Sequence, residues 1–245
     1  MKKRGLILVA VIVCLAFIVV SFINVSADPP PGKGKNKIKY PIPVPETGLT
    51  ICFDNNGYQI PCDGTTGQDG DINAGIPLPN PRFTDNEDGT VSDNLTGLVW
   101  LKDANCIQTN YPDFDNDVID GDGKVTWYHA LDFVVGINDG IYPDCGAGYT
   151  DWRLPNLREI HSLVNYGFKA PSLSDTAGTG QWSEGDPFIN VESTGWDVDY
   201  WTSTSMVDTD LYSSSSYSLE FNQGKIDGGG KNEGEFYVWP VRGPE

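Results

Sequence analysis

The chain has 245 residues, of which 34 are acidic and 16 basic, giving a net charge of −18 at neutral pH. A surface this negative repels the phosphates of nucleic acids and of anionic lipids, so we exclude both as expected partners. The same charge suits calcium, cationic partners or neutral sugars. All seven tryptophans follow residue 99, which predicts that the one sizeable core lies in the C-terminal part of the chain.

The first residues have the pattern of a secretory signal peptide. Three basic residues precede an apolar run at 6–23, and Val25-Ser26-Ala27 follows it as a small-residue cleavage site. This order predicts an exported protein, secreted or held at the cell surface or in the periplasm, with a signal peptide over residues 1–27. The apolar run is nearly long enough to cross a bilayer, so an uncleaved membrane anchor is the alternative.

Two short segments separate the predicted signal peptide from the main domain. Residues 28–48 are rich in Pro and Lys, which is typical of an extended spacer without a core. Residues 49–80 contain Asn56-Gly57 between two short apolar runs. An Asn-Gly pair in this context predicts a β-hairpin with a tight turn.

Four cysteines remain after the predicted signal peptide, an even number that fits an oxidising compartment. They allow three pairings, and we favour Cys52–Cys62 and Cys106–Cys145 because each closes a loop rich in Gly and Asp. The short loop would stabilise the fold by about 3 kcal/mol and the long one by about 4. A metal site is the disfavoured alternative, since there is no Cys-x-x-Cys pair and the chain has two histidines.

The main domain is predicted over residues 81–243. Within 83–101, two clusters of turn-forming residues separate short strands, and the apolar run 98–101 is short enough for a buried strand. Three further strands are predicted at 200–204, 217–221 and 236–241, with turns at the glycines 224 and 228–230.

Two helices are predicted inside this domain, which makes it an α+β domain. Thr126 can cap the first, which runs through Gly136 and buries Trp127, Ala130, Leu131 and Val134. The second starts after Asn156, with Glu159 completing a capping box, and buries Leu157, Ile160, His161 and Val164. We interpret His161 as a hydrogen-bonded core histidine, with a role in a site as the alternative.

An acidic segment precedes the first predicted helix. Five carboxylates lie within ten residues: Asp113, Asp115, Asp117, Asp120 and Asp122. Their alternating spacing can offer oxygens to one calcium ion, although Val118 and Lys124 stand where an EF-hand loop needs Gly and Glu. The alternative is a solvated acidic loop. No other cofactor is predicted.

Aromatic residues in a Gly/Ser/Asp-rich stretch are the candidate ligand contacts. Trp182, Trp196 and Tyr200 are predicted to face a ligand, because aromatic faces stack on sugars and anchor protein partners. Trp201 is expected in the core. The serine run 213–216 has no evident base partner and is interpreted as a polar loop, so no catalytic residue is predicted.

The ordered motifs of the chain resemble a known family. They are RFTDNEDGTVSDNLTGLVWLKDANC, VTWYHALDFV, DWRLPNLREIHSLVNY, YWTSTS and YVWPVRG, over about residues 68–243. This set is similar to the C-terminal domain of the Legionella collagen-like adhesin, a family of exported bacterial proteins similar to C-type-lectin and formylglycine-generating-enzyme folds. The resemblance implies a C-type-lectin-like domain with a small, twisted, mostly antiparallel sheet, in which Arg153, Glu159 and Arg242 are structural.

The resemblance also implies an adhesin, and we therefore predict a non-catalytic module that binds a glycan or a surface protein. The chain has no Gly-X-Y repeat and is acidic, so neither a collagen stalk nor binding to a polyanion is expected. A structural subunit of the envelope or of an appendage is the alternative, and a hydrolase is a distant one. The sequence does not distinguish a monomer from a homo-oligomer.

Overall fold

The structure is a computed structural model that describes residues 44–116, 119, 121–195, 198–207 and 214–243. The predicted signal peptide and all but the last residues of the predicted spacer lie outside this part. The predicted site residues Asp117, Asp120 and Trp196 also lie outside it.

Nine strands and four α-helices form the described part of the chain. The strands are β1 (Cys52–Phe53), β2 (Gln59–Ile60), β3 (Phe83–Asp85), β4 (Thr90–Asp93), β5 (Val99–Leu101), β6 (Asp199–Ser205), β7 (Ser215–Glu220), β8 (Lys225–Gly230) and β9 (Val241–Arg242). The helices are α1 (Asp69–Ile72), α2 (Cys106–Asn110), α3 (Trp127–Asn138) and α4 (Leu157–His161). Two 3₁₀ turns are Pro112–Phe114 and Pro143–Cys145.

The strands pair antiparallel in three sheets: β1-β2, β3-β4-β5-β9 and β6-β7-β8. The predicted α+β class is confirmed, and the two predicted helices are α3 and α4. The helices α1 and α2 were not predicted, because four or five residues are too few to show a helical period, whereas the equally short α4 has a capping box that marks its start. No described helix has the length and the apolar composition needed to cross a membrane.

The hairpin β1-β2 forms around the predicted Asn-Gly turn. Cys52 faces Ile60 across it. The Asp54 carboxylate accepts hydrogen bonds from the backbone N–H groups of Asn56 (2.9 Å) and Tyr58 (2.8 Å). The bond from Tyr58 is the main reason that the pKa of Asp54 is lowered. Gly57 has φ +82°, a left-handed conformation that glycine adopts without a steric penalty.

Trp239 lies at the centre of the core. Its indole ring contacts Phe188 and Trp100 edge-on, with centroids 4.9 and 5.7 Å apart, and its Nε1 donates to the carbonyl of Leu101 (2.8 Å). Tyr200 and Phe221 complete the ring cluster. The segment that carries Trp239 therefore joins the sheet containing β5 to the sheet containing β6.

Because this segment passes between two sheets, residues 236–241 do not form the single strand that was predicted. The strand β9 is limited to Val241–Arg242, while Phe236 bridges to Val125 and Tyr237 bridges to Tyr200. Consecutive residues pair with different partners, and proline at 240 has no N–H to donate to a ladder. The predicted strand was therefore too long.

The two predicted helices form with partly different buried faces, and α4 is shorter than predicted because it ends at His161, before Val164. In α3, Ala130 and Val134 are buried as predicted, but Phe133 and Ile137 are buried more deeply than Trp127 and Leu131. Thr126 occupies the N-cap position, but its side chain makes no capping hydrogen bond.

The capping box predicted for α4 is complete. The Asn156 side chain accepts from the N–H groups of Arg158 and Glu159, and the Glu159 carboxylate accepts from the N–H of Asn156. The Nε2 of His161 lies 2.8 Å from the Tyr166 hydroxyl, so the expected hydrogen bond is present, but the side chain is half-buried and lies outside the buried core.

The glycines at 228–230 form a strand and not the predicted turn. A Cβ added at Gly229 would lie 2.8 Å from the Phe236 ring and 3.3 Å from the Trp201 ring. Glycine is needed here because two aromatic side chains cover the backbone of β8. Part of the predicted serine loop is also a strand, since Ser215 and Ser216 begin β7 and Ser216 is fully buried.

Replacing Gly229 with Ala should lower the free energy of unfolding by about 1–3 kcal/mol, because the added methyl overpacks the contact with Phe236. Urea denaturation would measure the change. Gly230→Ala is the matched control in the same strand, where the nearest atom to the new Cβ is 3.8 Å away. Equal effects of the two substitutions would contradict this explanation.

A buried ion pair connects the start of the domain to the end of α4. The Arg82 guanidinium contacts the Asp93 carboxylate, and the two side chains are 2% and 0% exposed. Arg82 also donates to the carbonyl of Ser162 (2.9 Å). Burial lowers the pKa of Arg82 to about 10. Asp93 accepts further hydrogen bonds from Leu95 and Thr96, so its carboxylate is well satisfied.

Candidate functional site

An open groove of about 510 Å³ lies between α2, α3 and the acidic segment. We call it the Tyr142 groove. Its lining combines aromatic rings, carboxylates and amides: Asn110, Tyr111, Pro112, Asp113, Phe114, Asn116, His129, Asp132 and Tyr142. The residues come from three places: the end of α2 with the following 3₁₀ turn, one face of α3, and the loop after α3.

The aromatic rings of the groove form one connected cluster. Tyr142 stacks on Phe133 of the core, with ring centroids 5.0 Å apart, and contacts Tyr111 and Phe114 edge-on at 4.9 and 5.4 Å. Phe114 also contacts the His129 ring. The rings are therefore held by the core before any ligand arrives, which reduces the entropy lost on binding.

Two features of the chain hold Tyr142 in place. Gly136 is buried in α3, and a Cβ at this position would lie 2.3 Å from the Tyr142 ring. The disulfide Cys106–Cys145 joins the start of α2 to the 3₁₀ turn after Tyr142, with Cα atoms 5.9 Å apart. The groove is thus tied at both its α2 side and its Tyr142 side.

The Tyr111 hydroxyl is fixed by Asp144. It donates to the Asp144 carboxylate (3.0 Å) and accepts from the N–H of the same residue (3.1 Å). Partial burial and this carboxylate raise the pKa of Tyr111. The two hydrogen bonds hold the Tyr111 ring in one orientation at the wall of the groove.

The acidic segment is divided between the groove and the interior. Asp113 is exposed and lines the groove. Asp115 is 2% exposed and accepts from the N–H of Gly123 (2.8 Å). Asp122 accepts from the N–H of Lys124 (2.9 Å) and lies 3.4 Å from its ammonium group.

These three aspartates do not converge on one point. In the described ranges, the Cys, His, Asp or Glu ligand atoms that lie in a group of three within 4.8 Å of one another are those of Cys52, Cys62 and Asp71. The two sulfurs of that group form a disulfide, so they are not free thiolates. The described aspartates alone therefore do not supply a calcium coordination shell.

Of the predicted aromatic contacts, Tyr200 is a core residue, while Trp182 as a ligand contact stays a prediction. Tyr200 is fully buried, and its hydroxyl accepts from the N–H of Glu192 (2.7 Å), so its prediction as a ligand contact is wrong. It belongs to the core because its strand, β6, is covered by the Trp239 ring cluster. Trp182 is half-buried and donates to the carbonyl of Phe188 (3.1 Å). Trp201 is fully buried, as predicted.

Arg153, Glu159 and Arg242 lie in ion pairs. Two nitrogens of Arg153 donate to the two oxygens of Glu159, at 2.6 and 2.8 Å, and Arg153 also donates to the carbonyl of Gly243. Arg242 pairs with Asp151 (2.6 Å) and lies over the Tyr149 ring at 3.9 Å. These contacts link the start of α4 to β9.

The two disulfides are Cys52–Cys62 and Cys106–Cys145, the pairing favoured from the sequence. They fit an oxidising compartment and therefore export.

A family model for the Lcl C-terminal domain matches residues 89–242. The chain belongs to the Lcl C-terminal domain family. Comparison with curated proteins gave no match. The Lcl C-terminal domain match includes α2, α3 and the whole Tyr142 groove, while β3 precedes it and pairs with β4 inside it.

Sequence reasoning missed most of the Tyr142 groove. His129 and Asp132 are three residues apart on α3 and so share a face, and this spacing could have predicted that both line one site. Tyr142 follows the end of α3 and gives no such signal, because its position depends on the disulfide and on contact with Gly136.

Proposed function

We propose that this chain is an exported, non-catalytic binding module that recognises a glycan in the Tyr142 groove. The observation that supports the proposal is the groove itself, an open surface where held aromatic rings stand beside exposed carboxylates and amides. Aromatic faces stack on sugar rings, and the polar groups can hydrogen-bond sugar hydroxyls. Membership of an adhesin-associated family supports a binding function in general.

The lining of the groove gives no support to a catalytic role. It contains no Ser, Thr or Cys that could act as a nucleophile. Its carboxylates, Asp113 and Asp132, are both exposed and come from different elements, and its imidazole, His129, packs against the Phe114 ring. We propose further that the α+β domain has a C-type-lectin-like architecture, which the helices set among antiparallel strands support.

A glycan and matrix-protein array, probed with oxidised residues 28–245 in calcium and again in chelator, tests the proposal. Binding in either condition is the expected result. Binding only in calcium would support a proposed calcium-stabilised acidic segment, and binding in both would leave that segment as a solvated loop. Silence on the array, together with concentration-dependent assembly, would replace the proposal with that of a structural subunit.

Replacing Tyr111 with Ala should weaken binding of an array-identified glycan about tenfold, since a stacking face is lost. Isothermal titration would measure the affinity. Tyr128→Ala is the matched control, because Tyr128 is 51% exposed on α3 and does not line the groove. A folded Tyr111→Ala protein with unchanged affinity would place the glycan elsewhere.

A further inference from the structure

We propose that the Tyr142 groove selects a glycan with a free ammonium group, a hexosamine, over neutral and sulfated sugars. This inference rests on the proposed function and adds the chemical class of the ligand. It is carried by the charge of the groove together with its aromatic walls. The charge distinguishes a cationic sugar from a neutral one, and the aromatic walls favour a sugar ring.

The groove offers two uncommitted negative charges. Asp113 comes from the 3₁₀ turn after α2, and Asp132 comes from α3. Both side chains are exposed, and in the described part of the chain neither carboxylate takes part in a hydrogen bond or an ion pair. By contrast, Asp115, Asp122 and Asp144 are engaged by neighbouring protein groups.

No Lys or Arg lines the described groove to neutralise these carboxylates, and the basic side chain in its lining is His129, whose ring packs against Phe114. The whole chain is strongly acidic as well, with a net charge of −18. A sulfated sugar would therefore be repelled at close range, and an ammonium group would be attracted. Charge complementarity thus points to a cationic occupant.

The aromatic walls favour the same occupant. A cation is attracted to the electron-rich face of a tyrosine ring. The two hydrogen bonds between the Tyr111 hydroxyl and Asp144 hold that ring in place at the wall of the groove. Tyr142 and Phe114 present further rings at the same site.

A sugar fits the remaining groups better than a lysine side chain does. The Asn110 Nδ2 donates to the Cys106 Sγ (3.0 Å), so the Asn110 carbonyl oxygen and the amide of Asn116 are the exposed groups that can pair with ring hydroxyls. A lysine side chain has a single charged end, and so would leave these amides unused. The flat face of a hexosamine can stack on an aromatic ring while its ammonium group meets a carboxylate.

The test compares two oligosaccharides that differ in one group. Titrations of the oxidised protein at about pH 5.5 would use a fully deacetylated β-1,4-glucosamine oligomer and the N-acetylated oligomer of equal length. We expect the deacetylated oligomer to bind about tenfold more tightly, and the advantage to shrink in high salt, because exposed charges are screened. Dextran sulfate should not bind.

The variants Asp113→Asn and Asp132→Asn should reduce this advantage, and the double variant should abolish it. Asp139→Asn is the matched control, an exposed aspartate at the end of α3 outside the groove lining. Thermal melts of each variant would show that the fold is retained. An advantage that survives the double variant would overturn the inference.

Other outcomes separate the inference from the proposed function. Equal binding of the two oligomers, or binding of neutral glycans alone, would overturn the ammonium preference and leave glycan binding in the groove intact. Binding of a lysine-rich peptide with no binding of any glycan would overturn both, in favour of a protein partner.

Discussion

Replacing Arg82 with Met should lower the free energy of unfolding by about 3–5 kcal/mol, because it leaves the carboxylate of Asp93 buried without its counter-charge. Arg82 and Asp93 are 2% and 0% exposed, so water cannot take the place of the lost partner. Arg82 also tethers the carbonyl of Ser162 after α4, and that contact is lost with it. Chemical denaturation monitored by tryptophan fluorescence would measure the change.

Two comparisons isolate the buried charge as the cause. The pair Lys102–Asp85 is 30% and 35% exposed, so Lys102→Met should cost less than about 1 kcal/mol. Combining Arg82→Met with Asp93→Asn should recover part of the loss, because no unpaired charge then remains, and the Asn oxygen can still accept from Leu95. A double variant as unstable as the sum of the single variants would argue against this cause.

Removing the disulfide Cys106–Cys145 should cost about 4 kcal/mol and weaken glycan binding in the same protein. The bond closes a loop with a sequence separation of 39 residues, whose freedom in the unfolded chain grows when the bond is lost. That loop carries the whole lining of the Tyr142 groove. A Cys106→Ser, Cys145→Ser variant would be compared with the parent by denaturation and by titration.

The other disulfide is the control for this prediction. Cys52→Ser with Cys62→Ser opens a separation of 10 residues in the hairpin, away from the groove lining. It should cost about 3 kcal/mol and leave glycan affinity unchanged. If both variants lost affinity equally, the role of Cys106–Cys145 in holding the groove would be refuted.

Local sequence signals predicted much of the fold. The Asn56-Gly57 turn, the capping box at Asn156 and the strand around Trp100 each depend on residues close together in the chain, and each is present. The disulfide pairing that was favoured from the Gly- and Asp-rich loops between the cysteines is also present.

Predictions failed where distant residues decide the structure. Gly228 to Gly230 form a strand because Phe236 and Trp201 cover it, and no local pattern contains that information. Tyr200 looked like a surface aromatic in a polar stretch, but it packs against Trp239, thirty-nine positions later. The residues that line the Tyr142 groove come from several parts of the Cys106–Cys145 loop, so their spacing in the sequence alone does not predict that they lie together.

The place of β9 has a consequence for the order of events during export. β5 pairs with β9, and Trp239, at the centre of the core, comes just before that strand. A chain emerging from its N-terminal end can form the hairpin β1-β2 early, but it cannot complete the core until residue 242 has appeared. Such late, non-local closure keeps the polypeptide unfolded for longer. A protein exported in the unfolded state would therefore complete this core only after nearly the whole domain had been released.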